Sequence, residues 1–215
     1  MKIYAHRGFS AKFPEATRAA YEGALTVKAD GFECDVRLTR DQIPICFHDR
    51  NLKRTAGASG SIAKLSLDEI GKITDVLTLR ELVELAKENR VELLIETKHP
   101  TRFGRAVEQA VIREINGSTD KRITVMSFSL FAVLSLKQSI KSVGYVVARR
   151  WRLIFVPTKI VAVDVNLFNR SRWVRMRLKD KEVLLWTVNE LDQLKFPKEV
   201  AGVITDRPDL PFRLS

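Results

Sequence analysis

No stretch of this chain approaches the roughly 20 consecutive apolar residues that carry a helix across a bilayer. The first residues, Met1-Lys2-Ile3-Tyr4-Ala5-His6-Arg7-Gly8, enter a strand pattern directly, with no charged-then-apolar leader. A cytoplasmic protein is therefore the expectation. Cysteine is almost missing: Cys34 and Cys46 are the whole complement, and each falls in an apolar strand pattern. That argues against a disulfide scaffold or a cysteine-rich zinc site and predicts two buried thiols. Also lacking are an internal repeat, a low-complexity linker and a shift in composition, so residues 1–215 read as a single domain.

What is present is a core-forming composition, 45% hydrophobic and 29% charged. Lys and Arg number 37 against 26 Asp and Glu, a net charge of +11. Such a balance favours anionic partners: phosphates, nucleic acid or an anionic membrane surface. Short strand patterns alternate with helical ones, the mark of a parallel α/β fold. Strands are expected at 2–6, 31–38, 91–98, 123–128, 142–148, 160–165, 183–188 and 202–205.

A first helix is expected to begin at Pro14, with Ala16, Ala19, Ala20, Gly23, Ala24 and Val27 on one flat face. Capping-box spacing marks helix starts at Ser66–Glu69 and Thr78–Glu81, and a further helix carries Ala106, Val107, Ala110, Val111 and Ile115 up to Gly117. Helical patterns at 129–139, 170–180 and 190–196 separate the later strands. The rhythm breaks once. Leu38 to Asp49 reads as a hairpin turning near Asp41-Gln42, and a two-residue turn would set Asp35 opposite His48. Eight core strands with intervening helices predict a closed (β/α)8 TIM barrel with a small β-hairpin excursion after strand two.

Along residues 31–38, strand alternation puts Glu33, Asp35 and Arg37 on one face and Cys34, Val36 and Leu38 on the other. Burying unpaired carboxylates is costly, so two acids at this spacing call for compensation, and a hard divalent cation is a natural one. In a barrel such groups gather at the C-terminal ends of the strands. His6-Arg7 ends the first strand, Glu33 and Asp35 lie on the second, Glu96 and Lys98 end the third, and the hairpin folds His48 back toward the same mouth.

Seven motifs follow one another in order: His6-Arg7-Gly8, Pro14-Glu15-Ala16-Thr17, Glu33-Cys34-Asp35-Val36, Phe47-His48-Asp49, Glu96-Thr97-Lys98, Trp186-Thr187-Val188-Asn189 and Ile204-Thr205-Asp206. Together they resemble the signature of the glycerophosphodiester phosphodiesterase family, within the PI-PLC-like phosphodiesterase superfamily, from residue 3 to about residue 208. The resemblance implies a TIM barrel that hydrolyses glycerophosphodiesters to glycerol 3-phosphate and an alcohol, using one divalent metal ion, Mg²⁺ or Ca²⁺. It makes Glu33, Asp35 and Glu96 the metal ligands and His6 and His48 the acid–base pair. Arg7 and Lys98 become phosphate-facing cations, with ion pairs to Glu33 or Asp35 and to Glu96 as their structural alternatives, and Trp186 either fills the core or walls the glycerol pocket.

The expected chemistry is attack on phosphorus by the substrate's own glycerol hydroxyl, one histidine acting as base and the other protonating the departing alcohol. Water then opens the cyclic phosphate with the roles reversed, and either histidine can take either part. The chain departs from the family pattern at Ala16, where Asn is usual, at Gln42, where Gly is familiar, and at Ser129, where an acid is common.

Other readings remain beside this one. The same barrel could act as a lysophospholipase D or phospholipase C-like enzyme on lipids. A non-catalytic basic module for nucleic acid or membranes would account for the charge, but nucleic acid would not account for the acids, which repel phosphate unless a metal intervenes. Arg149-Arg150-Trp151-Arg152 ahead of Leu153-Ile154-Phe155-Val156, with Arg170, Arg172, Trp173, Arg175 and Arg177 downstream, reads either as a solvated outer face or as a patch for anionic lipid.

Overall fold

In the computed structural model, residues 1–115, 120 and 122–212 are described. Eight parallel strands close into a barrel: β1 (Lys2–His6), β2 (Gly31–Leu38), β4 (Glu92–Thr97), β5 (Ile123–Ser127), β6 (Val143–Val147), β7 (Ile160–Asp164), β8 (Glu182–Trp186) and β9 (Gly202–Thr205). β1 pairs with both β2 and β9, so the ends of the chain close the sheet. A ninth strand, β3 (Pro44–Cys46), returns antiparallel to the end of β2. The TIM barrel and the hairpin after strand two are thus as expected.

The interior follows from strand alternation. Tyr4, Leu94, Met126, Val146, Ala162, Leu184 and Ile204 form its apolar filling, one from each barrel strand except β2. At that level β2 supplies Glu33, paired in register with Leu94. The opposite faces pack on the covering helices, with Cys34 and Cys46 free and fully buried among them. Both thiols are where the sequence put them.

Helix α1 (Arg18–Thr26) starts four residues later than expected. Thr17 caps it by accepting from the Ala20 N–H, and Pro14 stays outside in a turn held by the Thr17 hydroxyl. Ala19 faces solvent, while Ala20, Tyr21, Gly23 and Ala24 are buried. Ala16 precedes the helix at φ +60°, a conformation that costs an L-residue with a Cβ about 1–2 kcal/mol. Glycine relieves that strain but adds unfolded-state freedom. Ala16→Gly should therefore raise stability by about 0.5 kcal/mol and the melting temperature by about 2 °C, read by calorimetry.

The hairpin turn contains three residues between Thr39 and Ile43, not two, with Gln42 in the left-handed region at φ +60°. This shifts the register by one: the Phe47 N–H donates to the Asp35 carbonyl at 2.8 Å, so Phe47 rather than His48 lies opposite Asp35. Beyond β3 the excursion continues through short helices α2 (Lys53–Ala56) and α3 (Leu67–Gly71). It has its own small core of Ile45, Phe47, Leu52, Ile62 and Ile70. Capping boxes open α3 at Ser66 and α4 (Leu79–Glu88) at Thr78 as expected.

Helix α5 (Ala106–Glu114) follows β4; the end expected for it at Gly117 lies outside the described residues. Helix α6 (Leu130–Leu136) lies between β5 and β6 and is capped by Ser129. Between β6 and β7 only a 3-10 turn, Arg150–Ile154, replaces a covering helix. The helix expected at 170–180 is the shorter α8 (Arg172–Arg177), started by the Ser171 side chain accepting from Val174, and an unexpected helix, α7 (Val165–Arg170), precedes it. A 3-10 turn at Leu191–Gln193 stands for the helix expected at 190–196.

Candidate active site

At the C-terminal end of the barrel, a cavity of about 140 Å³ is lined by His6, Arg7, Glu33, Asp35, His48, Glu96, Lys98, Phe128 and Trp186, among others. Every residue singled out from the sequence for catalysis, phosphate binding or metal ligation reaches this one space. A larger cavity, about 720 Å³, opens at the other end around Lys2, Glu92 and Glu182, but contains no histidine. His6 and His48 line the smaller one, at the end where barrel enzymes carry their sites.

Backbone geometry sets the first strand's end. Arg7 takes φ +56° and its N–H donates to the Glu33 carbonyl at 2.9 Å, while the Ala16 N–H donates to the Arg7 carbonyl at 2.9 Å. Gly8 completes the corner at φ +82°, where a Cβ would sit 2.5 Å from the Ala20 carbonyl carbon. No other residue fits there without moving backbone.

The acids are buried: Glu33 and Asp35 expose 2% and Glu96 7%. Asp35 is the best compensated. Lys98 Nζ lies 3.0 Å from its Oδ1 and Arg7 Nε 2.8 Å from its Oδ2. Burial would raise its pKa, but Lys98 and then Arg7 outweigh that and hold the carboxyl down to about 2. Glu96 accepts from Lys98 at 2.6 Å; burial, reinforced by Asp35, still lifts it to about 7. Glu33 has no such cation. Burial, then the charges of Asp35 and Glu96, push it well above the usual carboxylate range.

Two of those acids, with His6, fit a cation. Glu33 Oε2 and Asp35 Oδ2 are buried without a hydrogen-bond partner; Arg7 Nε lies close to the latter but makes no aligned hydrogen bond to it. Among the described residues, one group has donor atoms within 4.8 Å of one another: His6, Glu33 and Asp35. Glu96 stands outside it, turned to the Lys98 ammonium, which itself bridges Asp35 and Glu96 as a stand-in positive charge. All-oxygen acids suit a hard divalent ion.

The imidazoles are oriented alike. His6 Nδ1 lies 2.6 Å from Asp206 Oδ1, and His48 Nδ1 lies 2.7 Å from Asp49 Oδ1. With Nδ1–H donating to a carboxylate in each, as those partners assign it, Nε2 is left as the acceptor. His6 Nε2 is 3.9 Å from Glu33 Oε2. Burial lowers the pKa of His48, and the Lys98 and Arg7 charges lower it further against the pull of Asp35. Arg37 Nε donates to the His48 carbonyl at 2.7 Å and anchors that segment. Trp186 meets Phe128 edge to face at 5.5 Å, its buried Nε1 without a partner.

Several supporting residues had no role in the sequence reading. Asp206 is held by Asn189 at 2.6 Å and Ser10 at 2.9 Å, and the His6 hydrogen bond helps keep its carboxyl down at about 2 against burial. Arg54 binds Asp49 at 2.6 Å and Glu15 at 2.6 and 2.7 Å, while Glu15 also meets Arg7 at 3.2 Å. A continuous charged chain thus runs from Arg7 through Glu15, Arg54 and Asp49 to His48. The available signal was position: an acid directly after His48, and one at the end of the last strand.

A sequence model of the glycerophosphoryl diester phosphodiesterase family matches residues 6–210. The chain belongs to this family. A curated family protein of Mycobacterium tuberculosis, named "Probable glycerophosphodiester phosphodiesterase 1", is 32% identical over 92% of this chain and 85% of its own length. The solved glycerophosphodiester phosphodiesterase of Thermotoga maritima superposes with a TM-score of 0.87 at 26% identity, covering 99% of this chain and 97% of its own. An Oleispira antarctica phosphodiesterase, solved with its product sn-glycerol-3-phosphate, gives 0.83 at 25% identity, covering 97% and 94%. For a glycerophosphodiester phosphodiesterase, the motif residues Glu15, Asp49, Asn189 and Asp206 now have a physical task. They hold the cavity's charged groups and imidazoles in place.

Proposed function

We infer that this chain is a metal-dependent hydrolase that cleaves glycerophosphodiesters to glycerol 3-phosphate and an alcohol. The carrying observation is two imidazoles, each backed by an aspartate at Nδ1, lining one cavity with three acids and two cations. Glu33 and Asp35, clustered with His6, would hold the ion, Mg²⁺ or Ca²⁺, and Glu96, turned to Lys98 here, would complete the carboxylate set named from the sequence. Such an ion supplies Lewis-acid neutralisation of the phosphate charge when bound.

The chain's own groups do the rest. Arg7 and Lys98, which line the cavity beside the acids, stabilise the added charge on phosphorus. One histidine Nε2 takes the proton of the glycerol hydroxyl as that oxygen attacks; the other gives a proton to the leaving alcohol oxygen. Water then opens the cyclic phosphate by the reverse transfers. Trp186 and Phe128 wall the apolar side of the cavity and support a glycerol moiety packed against them. Two free buried thiols support the cytoplasmic placement read from the sequence.

The test is release of glycerol phosphate from glycerophosphocholine and glycerophosphoethanolamine, with lysophosphatidylcholine alongside. EDTA should abolish release, and Mg²⁺ or Ca²⁺ should restore it. Undiminished release in EDTA would overturn the metal-dependent reading; preference for the lysolipid would favour the lysophospholipase D alternative.

A further inference from the structure

Net charge is concentrated in about a quarter of this chain. Residues 129–179 contain eleven Lys and Arg against a single acid, Asp164, and so hold ten of the eleven net positive charges. The same segment carries much of the exposed apolar surface. Of eleven large hydrophobic side chains left exposed among the described residues, seven fall here: Phe131 and Leu134 on α6, Trp151, Ile154 and Phe155 at the 3-10 turn, and Trp173 and Met176 on α8. Ile154 is 70% exposed and Phe131 86%.

Three segments far apart in sequence are tied side by side. Arg152 donates to the Phe128 carbonyl just ahead of α6, and Lys137, just past the end of α6, donates to the Pro157 carbonyl at 2.6 Å. On the other flank, Arg177 donates to the Leu153 and Ile154 carbonyls at 3.1 and 2.9 Å. Trp173, Met176 and Arg177 share one face of α8 by their three- and four-residue spacing, so that face adjoins the 3-10 turn. The missing helix between β6 and β7 leaves this flank thinly covered. Phe128 also lines the catalytic cavity, so the patch begins at its rim.

We propose that this face docks on anionic lipid bilayers, with Trp151, Ile154 and Phe155 entering the headgroup region and the surrounding arginines pairing with lipid phosphates. Basic residues near an anionic leaflet each add attraction, and amphipathic aromatics sit at the headgroup level. A second copy of this chain is a poor occupant, because two such faces would repel. Nucleic acid would use the arginines and the rings, but gains little from exposed Ile154, Met176 and Leu134, which cannot stack as rings do. Docking stands apart from the reaction proposed above. Only the benefit of bringing the cavity rim to a lipid-derived diester rests on that reading.

The experiment is co-sedimentation with vesicles of phosphatidylcholine alone and of equimolar phosphatidylcholine and phosphatidylglycerol, at low and high salt, needing no catalysis. The protein should sediment with the anionic vesicles only and be released by salt. Ile154→Ser combined with Phe155→Ser should weaken partitioning about tenfold, with melting temperature and turnover of soluble glycerophosphocholine unchanged. Arg149→Gln combined with Arg150→Gln should weaken it while lowering the salt sensitivity. The proposal is overturned if anionic vesicles leave the protein in solution, or if the Ile154/Phe155 variant sediments like the parent. It is equally overturned if a single-stranded oligonucleotide displaces the vesicles and binds that variant as well as the parent.

Discussion

Turnover of glycerophosphocholine falls by about 10²–10⁴-fold when His6 is replaced by glutamine, and by a similar factor when His48 is replaced. Glutamine keeps a hydrogen-bonding side chain near Asp206 or Asp49 but cannot exchange a proton near neutral pH. Both rings are set by a carboxylate at Nδ1, which leaves Nε2 to carry the transferred proton. The two act in one reaction sequence, so the double variant should lose little beyond the worse single one. KM should stay within a few-fold, because Arg7 and Lys98, the cations proposed to face the phosphate, are untouched. Steady-state kinetics on the three proteins test this; single variants within a few-fold of the parent would remove the imidazoles from the chemistry.

Two neighbouring acids should respond oppositely when neutralised in metal-free protein, although both variants lose activity. Asp35→Asn removes the charge that Arg7 and Lys98 both face. Breaking a buried ion pair costs about 3–5 kcal/mol, and the lower end applies because Glu15 and Glu96 remain as partners. Melting should fall by about 6–12 °C for a chain of this length.

Glu33→Gln does the reverse. Glu33 has no cation of its own, one buried oxygen without a partner, and two like charges beside it. An amide there can donate toward those carboxylates, and stability should rise by about 1 kcal/mol. Thermal melts in EDTA decide the matter. If both variants melt lower, or both higher, the division of charge described here is wrong.

The barrel was legible because its evidence is local and repeated: strand alternation, apolar helix faces, and capping boxes at Ser66 and Thr78 that form as read. The acids on β2 were legible for the same reason, since alternation alone sends Glu33 and Asp35 inward. What escaped was geometry that no single segment announces. Gln42 takes a left-handed conformation without being glycine, so the hairpin register slipped by one from the two-residue reading. Ser171 restarts a helix whose basic pattern ran on unbroken. Arg54 reaches Asp49 and Glu15 from a four-residue helix with no periodicity to read, and Asp206 meets His6 from the far end of the sequence.

That last pairing has a consequence for how the protein matures. His6 ends the first barrel strand and Asp206 follows the last, and they meet only when β9 docks beside β1. Such a contact has the greatest sequence separation the topology permits, so it forms late in folding. A barrel in which β9 has not yet docked holds the imidazole without the carboxylate that orients it.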